Sequence, residues 1–276
     1  MRLVSVHGGH SAEFCAHAQD SLEDILQAYI KKGFSWVGIT EHMPPPKNHF
    51  RYPEEVRIGL TADNLYRRFA CYIRKGNALK EKYRSVIQMA VGFETEIYSG
   101  ALPFAQHLIK MFQPDYVVGS LHHVDDYMFD YDEAHYRRAA AAAGDMNSLY
   151  LRYFDLQYKM LTTLRPAVVG HFDLIRIFDP DYKTRLDQSA IREKILRNLA
   201  FIRSAGLRLD LNMRALYKGG SEPYISSSIL TEALNLGIPV IPGDDSHGID
   251  TVGYKIKEGI ELLSSMGFDT NWQLPG

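Results

Sequence analysis

The stretch AVVGH, residues 167–171, fixes how the rest of the chain is read. A short apolar run ends in a glycine and then, with no spacer, in a histidine. Such a run fits a strand buried on both faces, as parallel strands are. A helix is expected before it over Asn147–Leu164, and another after it over Leu186–Ser204, capped by Asp187. The same unit recurs in both directions. Further strands are expected at Leu3–Val6, Trp36–Thr40, Gln88–Phe93, Tyr116–Gly119, Leu207–Leu211 and Ile238–Ile241, which makes seven. Helical periodicity falls between them. Leu22, Ile25, Leu26, Tyr29 and Ile30 form one face, opened by Asp20 with Glu23 at the capping-box spacing. Thr61–Tyr83 reads as a helix broken near Gly76. Pro103–Met111, Ser226–Leu236 and Val252–Met266 supply the others. Met43–Leu60 carries four prolines and reads as a long loop, and Asp125–Ala143 as a surface helix or an extended loop.

Strand–helix alternation predicts a parallel α/β fold but permits either an open sheet or a closed barrel. An open sheet keeps its site at one switch point, whereas a barrel draws polar residues from the ends of many strands. The chemistry-bearing residues decide between them. Of eleven histidines, seven sit at or soon after strand ends: His7, His10 and His17 after the first, His42 after the second, then His122, His171 and His247. Glu94 and Asp245 occupy equivalent positions. A single such histidine is ordinarily a satisfied polar residue. Nine ligand-type side chains at the same end of six strands would compete for partners in one mouth, and divalent ions resolve that competition. The pattern therefore predicts a barrel with two or three divalent metal ions at its C-terminal face, because nine donors exceed the three or four that one zinc takes. His49, His107, His123 and His135 fall outside the pattern. His107 is mid-helix, and only one of the adjacent pair His122 and His123 can face the site. Cys15, between His10 and His17, either contacts the cluster or is a small buried side chain.

Composition narrows the function. The chain has 276 residues with 31 Lys and Arg against 33 Asp and Glu, a net charge of −2. That charge argues against bulk electrostatic binding of a long nucleic acid. A 46% hydrophobic content excludes disorder. Two cysteines, Cys15 and Cys71, make no disulfide framework, no apolar run reaches a membrane-spanning length, and the first residues form no apolar signal core. A cytoplasmic protein without a membrane partner is expected. No feature of the sequence sets its oligomeric state. GxGxxG, GxSxG and HExxH are absent, which removes a dinucleotide fold, a nucleophile elbow and a zincin. Paired ions about 3.5–4 Å apart that share a hydroxide suit attack on a phosphate monoester. Arg176, Arg214 and Lys218 lie beyond the fifth and sixth strands, where they could clamp phosphate. Asn212 and Asp173 could bind substrate or orient histidines, and Phe50 and Tyr52 could cover the pocket.

The segments HGGHSAEFCAHA (7–18), GITEHMPPP (38–46), VGFETEIYSG (91–100), VVGSLHHV (117–124), VVGHFDLIR (168–176), LDLNMRALYKGG (209–220) and GDDSHGIDTVG (243–253) resemble, in order, those of the PHP (polymerase and histidinol phosphatase) family of metal-dependent phosphoesterases, and within it the histidinol-phosphate phosphatases. The resemblance implies a single PHP domain over residues 1–276, folded as a distorted (β/α)7 TIM-like barrel. It implies zinc, manganese or iron. One ion would lie on His7, His10, Glu94 and Asp245, a second on the shared Glu94 with His122 and His171, and a third on His17, His42 and His247. It implies a small phosphorylated substrate, L-histidinol phosphate in histidine biosynthesis, attacked by a metal-bridged hydroxide. Another sugar phosphate, a nucleotide or an oligonucleotide end is the alternative, and a non-catalytic metal-binding protein a second. Catalytic roles fall to Glu94, Asp245, His247 and Arg176, and substrate contacts to Arg176, Arg214, Lys218 and Asn212. The family opens with His-x-His preceded by Asp. Here the opening is His7-Gly8-Gly9-His10 with Ser5 in the acid's place, so Gly8 and Gly9 must turn His10 back, and another acid must serve behind the first ion.

Replacing Glu94 with Gln is expected to remove both bridged ions and most activity, whereas His107→Gln leaves metal content unchanged. Metal analysis of the two purified variants checks this, and full stoichiometry in the Glu94 variant contradicts the bridging role.

Overall fold

The computed structural model describes Arg2–Pro275. Its strands are β1 (Leu3–Gly8), β2 (Phe34–Ile39), β3 (Gln88–Val91), β4 (Phe93–Glu94), β5 (Val117–Gly119), a hairpin of β6 (His123–Val124) and β7 (Tyr127–Met128), β8 (Val168–Val169), β9 (Arg208–Asn212) and β10 (Val240–Gly243). All except the hairpin pair in parallel. β1, β2 and β3 form one ladder in that order; β4, β5, β8, β9 and β10 form another. β3 and β4 are one strand interrupted at Gly92, so the ring has the seven expected positions. Bonds from Gly92 N to Ile39 O and from Glu94 N to Glu41 O carry the first ladder toward the second. The ring closes where Asp245 N donates to His7 O and His10 N to Ser246 O, each at 2.8 Å. This is the distorted (β/α)7 barrel.

The barrel strands are short and largely buried on both faces. Along β1, Val4, Ser5, Val6 and His7 all have no exposed surface. Apolar residues carry the wall and polar ones gather toward the strand ends. Helices cover the outside. The first, Leu22–Lys31, is capped by Ser21, whose Oγ accepts from Asp24 N, and not by Asp20. Asp20 has a left-handed backbone and accepts from Ile249 N, while Glu23 is drawn away to Lys82 and Tyr83.

Several local expectations give way to packing. The helix Ala62–Tyr83 runs unbroken through Gly76, where a Cβ would stand 2.9 Å from Val91 Cγ1. Glycine there lets the helix lie close on β3. The helix expected over Leu186–Ser204 is two, Tyr182–Leu186 and Ser189–Ser204, with Asp187 closing the first and Gln188 preceding the second. Asp125–Ala143 holds the turn of the hairpin and a helix, Glu133–Ala143, capped by Asp132. Within Met43–Leu60 a short helix, Pro53–Arg57, begins at its proline.

The double glycine behaves as its spacing requires. β1 ends at Gly8, Gly9 takes φ +67°, and His10 comes back buried beside His7, with ring centroids 6.0 Å apart. A Cβ on Gly9 would meet Ile39 Cδ1 at 2.5 Å. Gly9→Ala is therefore expected to cost about 2 kcal/mol or more, from left-handed strain and overpacking together. Urea unfolding measures it, and an unchanged midpoint would show that the turn does not depend on glycine.

Candidate metal centre

β4 ends on Glu94, and its carboxylate stands at the centre of the mouth with only 1% of its surface exposed. On one oxygen, Oε1, converge His171 Nε2 at 2.7 Å and His122 Nε2 at 3.2 Å. Near the other lie His42 Nδ1 at 3.1 Å, His7 Nε2 at 3.4 Å and His10 Nε2 at 3.9 Å. These five histidines follow four different strands. Asp245, just past β10, adds its Oδ1 at 3.3 Å from His10 Nε2. His247 stacks on His10 with centroids 4.3 Å apart and on His17 at 5.0 Å; His17 lies 5.5 Å from His42. All nine side chains singled out in the sequence thus meet at one end of the barrel. His171 and Asp245 reach their places through left-handed backbone, φ 23° and 47°, a strained conformation of a kind that collects at functional sites.

Within this cluster several groups of donor atoms lie close enough to share an ion: His7, His10 and Asp245; His7, Glu94 and His171; His42, Glu96 and His122; and His10, Cys15, His42 and His247. Of these residues, Glu96 went unrecognised in the sequence, and Cys15 was left open between a contact with the cluster and a small buried side chain. Glu96 lies 3.2 Å from His42 Nδ1, and Cys15 faces the last group. The i, i+2 spacing of Glu94 and Glu96 in an extended segment was a signal for the first.

Acids behind the histidines were also missed. Asp210, in the middle of β9, accepts from His7 Nδ1 at 2.9 Å, and Asp130, just past β7, from His122 Nδ1 at 2.8 Å. Each fixes a tautomer that presents Nε2 to the mouth. Asp210 is thus the acid behind His7. Ser5 instead binds Asp244 Oδ1, outside the cluster. Glu41 stands behind His10, its Oε2 3.6 Å from His10 Nδ1, and is itself held by Ser11 N and Oγ at 2.8 Å each. Asp210 lies 203 residues from His7, so no local spacing betrays it, whereas Asp130 follows His122 by eight residues and meets it across the β6–β7 hairpin.

The charge distribution fits a cation. Burial raises the proton affinity of Glu94 and Asp245, yet the surrounding imidazoles outweigh it and hold both carboxyls well below their usual range. Burial pulls His10 down, but Asp245 and Glu41 lift it to about 9; His7 is likewise lifted by Glu94 and Asp245. Burial together with neighbouring cations lowers His17 to about 3 and His247 well below its ordinary value. Proton affinity is high only where carboxylates crowd the imidazoles, and there a metal cation can take the proton's place. His7 Nε2, both nitrogens of His10, His42 Nδ1 and Glu96 Oε2 are buried with no hydrogen-bond partner in the protein. Leaving such groups unpaired is costly, and a divalent ion with these donors answers it.

Above the cluster opens a cavity of about 260 Å³, whose walls include Tyr52, Glu54, Tyr131, Arg214 and Lys218. Arg214 donates to Asp245 O at 3.0 Å. Two expectations need correction. Arg176 is not on the cavity wall. It is 6% exposed, with Nε bonded to Asp173 and Nη2 to the carbonyls of Glu222 and Pro223, and it is held between the rings of Tyr182 and Tyr224, away from the cavity. Asn212 is wholly buried and binds the carboxylates of Asp210 and Asp245, which makes it a positioning residue and not a substrate contact. Asp173 is taken up by Arg176 and Ser226, Phe50 stacks on Tyr98, and the exposed His49 and His107 stand apart from the cluster. His123, turned away from His122, lies 3.5 Å from Glu96.

The barrel and this mouth define the class, a metal-dependent hydrolase of the α/β-barrel type. The chain belongs to the PHP domain family, whose pattern matches residues 8–214. It is 34% identical over 268 residues to a Schizosaccharomyces pombe protein named "probable histidinol-phosphatase", covering 96% of this chain and 87% of that one. It superposes on a Listeria monocytogenes hisK protein with a TM-score of 0.80 and 25% identity, over 92% of this chain and 99% of that one. It also shares the fold of a Lactococcus lactis histidinol phosphate phosphatase solved with zinc, L-histidinol and phosphate, at a TM-score of 0.75 and 19% identity, over 97% and 95% of the two chains. No helix among the described residues is long and apolar enough to cross a membrane.

Asp210→Asn keeps the shape of the side chain but weakens its hold on His7. Metal affinity is expected to fall by about 10- to 100-fold. Competition with a chromogenic chelator measures it, and wild-type affinity would show that Asp210 has no part in the site.

Proposed function

We propose that residues 1–276 act as one PHP-type catalytic domain that hydrolyses a small phosphate monoester, L-histidinol phosphate, to L-histidinol and phosphate in histidine biosynthesis. The observation that carries this reading is the convergence of five histidines on Glu94 beneath a cavity that also exposes Arg214 and Lys218. The name carried by the Schizosaccharomyces pombe relative supports the choice of substrate. The cavity suits a compact ester, and the net charge of −2 argues against a long nucleic acid.

His7, His10, Glu94 and Asp245 would hold one divalent ion, Glu94, His122 and His171 a second, and His17, His42 and His247 a third, with zinc, manganese and iron all compatible with these donors. When bound, the ions supply an activated water and offset charge on the phosphoryl oxygens. The chain's own residues do the remaining work. Arg214 and Lys218 receive the phosphate oxygens, Arg214 through paired N–H donors and Lys218 as a point charge. Asp210 and Asp130 hold the His7 and His122 rings in the tautomer that presents Nε2. Asn212 keeps Asp245 aimed at the mouth. The tyrosines along the wall, Tyr52 and Tyr131, exclude bulk water from the reacting oxygen. A reducing cytoplasm fits the unpaired Cys15 and Cys71.

The test is a panel of phosphate esters at fixed metal content. Histidinol phosphate is expected to exceed other monoesters in kcat/KM by at least about tenfold, and chelation to abolish turnover. Equal rates across the panel would remove the assigned substrate. A metal-loaded protein inert to every ester would leave a metal-binding role.

A further inference from the structure

Four acids line the cavity: Glu54, Glu94, Asp130 and Asp245. Three of them are bound to the histidine cluster. Glu54 is not, and among the described residues no lysine, arginine or histidine forms an ion pair with it. Its Oε1 accepts from the Tyr131 hydroxyl at 2.7 Å, and its Oε2 is buried with no donor.

The position of Glu54 is firmly set. It is the second residue of the helix Pro53–Arg57, whose entry is fixed at Tyr52. The Tyr52 N–H donates to the Glu55 carboxylate at 2.8 Å, and its hydroxyl donates to Glu96 Oε1 at 2.7 Å. The loop that delivers Glu54 is therefore tied to the metal cluster through Glu96. A carboxylate oxygen held without a donor in a partly enclosed site is costly by itself and strongly favours a cation supplied by a ligand. Arg214 and Lys218 line the same cavity and give it positive groups as well. A ligand with an anionic phosphate and a cationic nitrogen satisfies both sets.

We propose that Glu54 is a specificity residue that binds a protonated amine of the substrate, so that the cavity selects phosphate esters of amino alcohols over uncharged or anionic esters. This rests on the phosphatase reading and narrows it to a zwitterionic substrate class. Tyr131 acts as a positioning residue that leaves Oε2 free for the ammonium.

The test compares ester pairs that differ only at the amine, histidinol phosphate against N-acetylhistidinol phosphate and O-phosphoethanolamine against its N-acetyl derivative, on metal-loaded wild type and Glu54→Gln. Wild type is expected to favour the amine-bearing member of each pair. In Glu54→Gln that preference should fall by about 10- to 100-fold, mainly through KM, with metal content unchanged. An undiminished preference in the variant overturns the proposal, as does an equal loss on both members of a pair. Calorimetric binding of L-histidinol to the metal-loaded protein separates the two readings. If wild type hydrolyses no ester yet binds L-histidinol, and Glu54→Gln weakens that binding about tenfold, the amine site stands and the phosphatase reading fails. Equal binding by both proteins removes the amine site.

Discussion

A single ionised carboxylate, buried to 99% and ringed by imidazoles, is the constraint around which the barrel mouth is organised. Burial alone would neutralise Glu94. Its environment does the opposite, because five histidines from four strand ends direct ring nitrogens at its two oxygens. Those rings reach it only if the strands lie side by side with their C-terminal ends level. The chemistry of the mouth and the closure of the barrel are thus coupled. The bonds from Asp245 N to His7 O and from His10 N to Ser246 O, which close the ring, join the segments that carry four of the candidate ligands.

Around that centre the polar groups form successive layers. Asp210, Asp130 and Glu41 stand behind histidines, and Asn212 stands behind Asp245 and Asp210. Each layer limits the rotation of the one in front, as ligand sites require, since imidazole orientation decides which nitrogen faces an ion. Substrate selection is assigned to a different part of the fold. Arg214 and Lys218 follow β9, whereas Glu54 arrives on the proline-started helix between β2 and the long helix Ala62–Tyr83. The metal centre and the recognition surface share one cavity and are joined by the Tyr52 hydroxyl on Glu96 and by Arg214 on the Asp245 carbonyl.

The arginines show why charge at a strand end is weaker evidence than histidine there. Arg176 and Arg214 occupy similar places in the sequence, a few residues past β8 and β9. Arg214 faces the cavity, while Arg176 turns between Tyr182 and Tyr224 and uses its donors on Asp173 and two carbonyls. A guanidinium on a long stem finds partners in many directions, so its direction is settled by neighbours that are remote in sequence. Helix boundaries slipped for a related reason. Gly76 suggests a break by its intrinsic propensity, but close packing on Val91 rewards a continuous helix.

The order of elements, the seven strand positions and the nine candidate ligands were legible in the sequence because each depends on a local pattern. Apolar runs mark buried strands, and a histidine or carboxylate at the end of such a run is carried to the mouth wherever the strand goes. The Gly8-Gly9 turn was legible too, since only a reversal could return His10 to the site. Tertiary structure alone decided which acids stand behind which histidines, that Cys15 and Glu96 join the cluster, that Arg176 and Asn212 serve the scaffold, and that Glu54 Oε2 is left without a donor. Most of these contacts join segments tens to hundreds of residues apart, and their geometry exists only after the ring has closed.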